Sequence, residues 1–314
     1  MARDPASLEA TWSELARRRA RPTIFLTPEW IAVARAHDPR EQVTLSIDDR
    51  GVAALAYDGD GTLTFAGGEL TDEQDVVAAM PDVERVAGSL GRWIAAEHIA
   101  RAAFSYVPEE SGTTAALAAP LRAAGYRVDI ARLVASPRLD LPADFESYVH
   151  ALNKTERHEL RRKIRRLETG RRARFRIASG EEQGRVLDRF VELHRRSRGE
   201  KARFMTGELE AYFRDLADAL AARGWLRLGV LEVAGEDAAV LYAFAYEGTM
   251  ALYNAAYDPA LASLSVGIVS HAYAIRAAIT EGMRTYDFLR GGEPYKYDLG
   301  AQEHWLLRLV AARP

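Results

Sequence analysis

Trp225-Leu226-Arg227-Leu228-Gly229-Val230-Leu231-Glu232-Val233, Ala239-Val240-Leu241-Tyr242-Ala243-Phe244-Ala245-Tyr246 and Met250-Ala251-Leu252-Tyr253-Asn254-Ala255-Ala256 are three apolar runs of strand length. The breaks between them contain Ala234-Gly235-Glu236-Asp237 and Glu247-Gly248, which read as turns. Runs joined this tightly pair antiparallel, because a parallel neighbour needs a long crossover. A helix is expected from about Gly267 to Thr280, closed by Gly282, and then a strand over Thr285–Leu289. The sum is a mixed, mainly antiparallel sheet flanked by helices, an α/β (α+β) unit.

Upstream, Leu209, Tyr212, Phe213, Leu216 and Leu220 share one face of a helix expected over Glu208–Ala222, and another helix is expected over Arg185–His194. Asn153 reads as the cap of a basic helix, answered by Glu156 three residues on, with Gly170 as its end. The first part of the chain has the same order of elements. Thr27-Pro28-Glu29-Trp30 opens a helix, with Thr27 as cap and Pro28 at the first helical position. Short strands over Val43–Ile47, Val52–Tyr57 and Thr62–Phe65 follow, then a helix over Val83–Ile99 and strands over Ala102–Val107 and Tyr126–Val134. The repeated order predicts two copies of one unit. Leu139-Asp140-Leu141-Pro142-Ala143-Asp144 reads as the link, because proline breaks helices and central strands alike. The expected domains are 1–140 and 141–314, the second including a last strand over Trp305–Val310.

With 314 residues, 48% of them hydrophobic and 28% charged, the chain has material for two packed cores. It has no cysteine, which removes disulfides, thiolate metal sites and cysteine nucleophiles together. Seven histidines are scattered without ligand spacing, so no metal centre is expected. Neither a phosphate loop ending in Gly-Lys-Ser/Thr nor a Gly-x-Gly-x-x-Gly turn after a strand occurs. Met1–Thr11 does not read as a signal peptide, and no run of about 18 apolar residues occurs, so a cytoplasmic protein without a membrane span is expected.

The net charge is −3, yet residues 154–203 hold 18 basic and 8 acidic residues. Lys154, Arg157, Arg161 and Arg165 form a stripe along the basic helix while Leu160, Ile164 and Leu167 face inward. Guanidinium forks suit phosphate oxygens, on a coenzyme or on RNA; a solvated face paired with acids is the plainer reading. A second feature is Leu264-Ser265-Val266-Gly267-Ile268-Val269, which opens a helix straight after the third strand. The first N–H groups of a helix and its positive dipole end would take a phosphate, unless Ser265 simply caps them. The third is Tyr286-Asp287-Phe288-Leu289-Arg290-Gly291-Gly292-Glu293-Pro294-Tyr295-Lys296-Tyr297, a strand running into a loop with two glycines and one of only four lysines.

These features, in this order, resemble the CelD-like acetyltransferase domain of the GNAT superfamily, close to the Fem-type aminoacyltransferases. The resemblance covers roughly residues 145–311. It rests on the Arg-rich helix from Arg157 to Glu168, on Ser265-Val266-Gly267, and on Tyr286-Asp287-Phe288-Leu289-Arg290-Gly291 running on to Tyr295-Lys296. Leu63-Thr64-Phe65-Ala66-Gly67-Gly68-Glu69 resembles the matching stretch of the group's N-terminal half. Of the group's usual Arg/Gln-x-x-Gly-x-Gly/Ala phosphate loop, only Gly267 remains.

The resemblance implies tandem GNAT-like domains and transfer of an acyl group to a small-molecule or peptide amine. The donor would be acyl-CoA as co-substrate, with aminoacyl-tRNA as the Fem-type alternative, and no cofactor would be bound permanently. Ser265, Val266, Gly267, Ile268, Arg161, Arg165 and Arg290 would hold the donor. Tyr253, Asn254 and Tyr257 would line the cleft, with Tyr257 as proton donor to the leaving thiolate. Asp287 and Glu293 would take the amine's proton, and Lys296 would hold a phosphate or the forming oxyanion. A non-enzymatic nucleic-acid-binding protein using residues 154–176, or a catalytically dead scaffold of the same fold, would share much of this pattern.

Overall fold

The computed structural model describes residues 5–169, 173–197 and 203–314. Gly170, Arg171 and Arg172, expected at the end of the basic segment, lie outside them. The chain forms two compact units, Met1–Ser136 with His304–Pro314, and Pro137–Glu303.

The first unit contains helices α1 (Pro5–Arg17), α2 (Pro28–Ala36), α3 (Val83–Ala96) and α4 (Thr113–Ala123). Its strands are β1 (Glu41–Ile47), β2 (Gly51–Tyr57), β3 (Leu63–Phe65), β4 (Val77–Ala78), β5 (Arg101–Pro108), β6 (Arg127–Ala135) and, from the far end of the sequence, β13 (Trp305–Ala312). They form a sheet in the order β1-β2-β3-β5-β13-β6, with β4 pairing β2 beside it. As expected, Thr27 caps α2: its Oγ1 accepts from the Trp30 N–H at 3.3 Å, and Pro28 needs no partner at the first helical position.

The second unit contains β7 (Arg138–Asp140), α5 (Phe145–Ala151), α6 (Lys154–Glu168), β8 (Ala173–Ile177), α7 (Gln183–Arg196) and α8 (Gly207–Ala221). It continues with β9 (Leu226–Val233), β10 (Glu236–Tyr246), β11 (Thr249–Tyr257), α9 (Val266–Thr280), β12 (Thr285–Asp287) and α10 (Pro294–Asp298). The sheet order is β7-β12-β11-β10-β9-β8. Alternation along β10 divides its side chains between two layers. Leu241, Ala243 and Ala245 enter one core with Leu160, Ile164 and Leu167 of α6 and Ile275 of α9. Tyr242 faces the other way, its hydroxyl donating to the Phe213 carbonyl of α8 at 2.8 Å, with the Phe190 ring of α7 5.6 Å away.

Both sheets run as an antiparallel meander followed by one parallel pair, β3 with β5 and β11 with β12. This is the repeated order of elements expected from the sequence. Three local expectations need correction. The strand over Trp305–Val310 completes the first sheet between β5 and β6, not the second. Leu139 and Asp140, read as the start of the link, belong instead to a strand, Arg138–Asp140, at the edge of the second sheet, where the nearby Pro142 is tolerated. The basic segment does not continue as helix to Arg176. Residues 173–177 form β8 because Phe175 turns inward, over Gly229, where a Cβ would stand 2.8 Å from the ring. Arg176 turns outward to Glu182 at 3.1 Å and Asp237 at 3.4 Å.

The position of β13 gives a direct test. Leu306, Leu309 and Ala311 are fully buried, and deleting residues 305–314 would also strip two ladders from the sheet. Loss of a large buried aliphatic side chain costs about 2–5 kcal/mol, and a domain has only about 5–15 in total. The truncated chain should therefore lose the protease resistance of residues 9–136 while 137–303 keeps its own, as limited proteolysis with mass mapping will read.

Candidate active site

In the second unit, β11 and β12 pair over only three positions, Thr249 with Thr285, Met250 with Tyr286 and Ala251 with Asp287. β11 runs on to Tyr257, whereas β12 stops and the chain turns off at Phe288, whose N–H donates to the Pro137 carbonyl at 3.0 Å. The two parallel strands part, leaving residues 252–257 of β11 with an open edge. The start of α9 lies beside that edge, because a Cβ on Gly267 would meet the Tyr257 ring at 3.3 Å. Carboxyl ends of parallel strands and a helix N-terminus thus converge, the usual ligand position in such sheets.

Ser265 precedes α9 in the left-handed conformation, φ 58° and ψ 34°, and its side chain makes no cap bond. The expectation that Ser265 is a plain N-cap is corrected: it shapes the entry to the helix and leaves the first turn uncapped. Val266 is buried, while Gly267 and Ile268 are half-exposed at the opening. Tyr257 is 39% exposed at the end of β11.

The loop after β12 departs most from expectation. Lys296 is only 3% exposed. Its Nζ donates to the carbonyls of Leu289 at 3.1 Å, Arg290 at 2.8 Å and Gly291 at 2.9 Å, and lies 2.9 Å from a Glu293 oxygen. An ammonium has three hydrogens, so these contacts engage all of it. Lys296 therefore holds its own loop instead of a phosphate or an oxyanion. Leu289 at φ 57° and Gly291 at φ 109° turn three successive carbonyls toward one point, and the cation satisfies them there.

Asp287 is likewise buried, at 1% exposure. One carboxylate oxygen lies 3.2 Å from Arg138 Nε on β7, and the other accepts from the Leu289 N–H at 2.8 Å. An acid so enclosed does not meet an incoming amine, which corrects its expected role as a base. Glu293 is about half-exposed and folds back over Gly291, where a Cβ would stand 2.5 Å from its carboxylate. Arg290 is partly exposed beside it. Burial, then the charge of Glu293, push the Tyr295 phenol up, so it stays neutral; its ring stacks on His271 with centroids 5.1 Å apart.

On α6, Arg161 pairs with Glu146 at 3.1 Å and Arg162 with Glu159 at 2.7 Å, while Arg157 donates to the His150 carbonyl at 2.9 Å. Arg161, expected to hold the donor, thus pairs with an acid of α5. Arg165 is exposed, as are Lys154 and Arg166. Sequence reasoning missed His194, which is buried on α7 with Nε2 2.8 Å from Asn254 Oδ1. The available signal was its place on the inward face of α7 with Leu187, Phe190 and Val191.

In the first unit the region beside the parallel pair of β3 and β5 is filled by the chain itself. There Thr71–Val76 lies buried against β5, with the Gln74 N–H donating to the Tyr106 carbonyl at 3.0 Å. A cavity of about 430 Å³ beside this segment is lined by Arg19, Arg21, Glu73, Asp75 and Glu110, but these charges pair with one another, Arg19 with Asp75 and Arg21 with Glu73 and Glu110. Among the described residues, no three His, Asp or Glu side chains gather in a way that would hold a metal ion, and no helix is long and apolar enough to cross a membrane.

Residues 154–297 match the family described as Acetyltransferase (GNAT) domain. No curated protein matches the sequence. Among solved structures, FemX is similar over 98% of this chain and 96% of its own, with TM-score 0.68 at 11% identity. L-PGS from Bacillus licheniformis is similar over 99% and 92%, with TM-score 0.60 at 13% identity. A tandem GNAT protein from the clavulanic acid biosynthesis pathway is similar over 100% and 98%, with TM-score 0.51 at 13% identity. At these identities the likeness is one of fold.

The loop geometry carries a prediction. Lys296→Met leaves three inward carbonyls without their cation, and charge-assisted bonds of this kind contribute about 1.5–3 kcal/mol each. The variant should lose about 3 kcal/mol or more and melt several degrees lower. An unchanged melting temperature would return Lys296 to a ligand-binding role.

Proposed function

We propose that the protein is an N-acyltransferase that moves an acyl group from acyl-CoA to an amine, a reading supported by the match of residues 154–297 to the family described as Acetyltransferase (GNAT) domain. The observation that carries this reading is the parting of β11 from β12 beside the uncapped start of α9. An extended acyl thioester arm fits along an open strand edge. The N–H groups of Gly267 and Ile268 suit the diphosphate, and the missing side chain at Gly267 lets it approach closely. Arg165, exposed on α6, and Arg290, partly exposed on the loop after β12, carry positive charge of the kind that suits the remaining phosphate.

In the reaction, the amine nitrogen attacks the thioester carbonyl carbon. A C–N bond forms, the C–S bond breaks, and the products are the amide and the free thiol. The nitrogen must lose a proton and the sulfur must gain one. Glu293 is the exposed carboxylate of the loop and serves as acceptor, directly or through water. Tyr257, exposed at the end of β11, serves as donor to the thiolate. Lys296 and Asp287 act only by fixing the loop that presents Glu293.

The chain has no cysteine, so a thiol reagent in the reaction mixture reports released CoA alone. Purified protein with acetyl-CoA and a panel of primary amines should release thiol in an amine-dependent way. Gly267→Val crowds Tyr257 and covers the start of α9, so the KM for acetyl-CoA should rise about ten-fold or more, the scale of one lost phosphate contact, with little change in melting temperature.

The exposed Lys154, Arg165 and Arg166 of α6 favour a second reading, an aminoacyl-tRNA donor. Amine acylation that needs charged tRNA, ignores acetyl-CoA and weakens steeply with salt would favour that reading over the first.

A further inference from the structure

We infer that His194 is a positioning residue for the donor cleft: from α7 its imidazole clamps Asn254 and so fixes the bulge at which β11 bends beside β12. The inference rests on the acyl-donor reading of that cleft. Tyr242 of β10 faces Asn254, yet the next residue, Ala243, faces Leu252, so Tyr253 is one extra residue on β11. Such an insertion bends the strand and breaks its two-sided alternation. Here it puts Tyr253 and Asn254 on the same side. Tyr253 lies 5.5 Å from the Phe213 ring and 5.6 Å from Phe244, and Asn254 meets His194, whereas Leu252 and Ala255 pack into the core beneath α9. In a regular strand, Asn254 would turn its amide into that apolar core.

The hydrogen bonds around the bulge set the imidazole's tautomer. Asn254 Oδ1 accepts from the Ala255 N–H at 2.7 Å, so the oxygen is the atom turned to His194. Nε2 therefore carries the proton and donates at 2.8 Å. The ring is held edge-on to Phe190 with centroids 4.7 Å apart and lies 5.9 Å from Phe204, and His194 is 1% exposed. One buried side chain on a rigid helix thus sets where the Ala255 N–H points, and with it the course of β11 just past its last pair with β12.

Three readouts on His194→Phe and His194→Gln test this: donor KM against kcat, hydrogen exchange of the Ala255 amide, and melting temperature. Phe retains ring volume among the aromatic neighbours but removes the donor; Gln keeps an N–H. His194→Phe should raise the KM for acetyl-CoA about ten-fold with a smaller change in kcat, the pattern of lost donor binding, and speed exchange at Ala255 about ten-fold. His194→Gln should recover most of both. Unchanged KM and exchange in His194→Phe, or a Gln variant no better than Phe, overturns the inference while leaving the transferase reading standing. If His194→Phe does not fold, Asn254→Ala cuts the same link from β11 and must give the same pair of changes. If the wild-type protein releases no thiol from acetyl-CoA with any amine, the donor reading fails, and the inference falls with it; unaltered Ala255 exchange in His194→Phe would then show that the clamp itself is also wrong.

Discussion

The pairing of Arg138 with Asp287 governs the second unit. Both side chains are at most 5% exposed, and enclosing two charges this deeply is tolerable only when each is engaged by the other and by further bonds. They stand opposite each other on β7 and β12, a strand of three residues that is too short to hold its place by backbone bonds alone. Because the second oxygen of Asp287 takes the Leu289 N–H, the same residue fixes the direction in which the chain leaves the sheet. Lys296 then gathers the carbonyls of residues 289–291. The end of β12, and therefore the free edge of β11, follow from one ion pair and one ammonium.

Much of the fold was legible because it rests on short-range chemistry. The runs from Trp225 to Ala256 carry their turns with them, Thr27 and Asn153 carry their caps, and Leu160, Ile164 and Leu167 recur at helical spacing. What escaped depends on partners distant in sequence. Residues 305–312 form an apolar run of strand length, and nothing in them says which of two similar sheets they enter. Arg138–Asp140 sits among prolines and becomes a strand only because Thr285–Asp287 lies alongside. β8 depends on Phe175 finding the space above Gly229.

Of the candidate site, the segments were legible, not the surroundings of their side chains. Residues 265–268 and 286–296 stand out because both come shortly after strands of the second sheet. Residue type misled at Lys296 and Asp287, because a lone lysine and an acid beside glycines look identical whether they face a ligand or their own backbone. Burial decides between the two. The reverse holds at His194, which sits among apolar residues of α7 and takes its meaning from an amide about 60 positions away, within hydrogen-bond reach only because β11 contains one extra residue. At Arg161 the paired acid, Glu146, belongs to the preceding helix and shares no periodicity with the basic stripe.

The lodging of β13 between β5 and β6 has a consequence for synthesis. A ribosome completes residues 1–136 first, but that unit cannot close its sheet until residues 305–312 emerge. The second unit has every strand in hand once residue 287 has appeared, so it can fold while the earlier-made segment still waits. The unit begun first is thus finished last, and its unpaired β5 and β6 edges stand exposed for the whole interval, in need of shelter that the finished protein never requires.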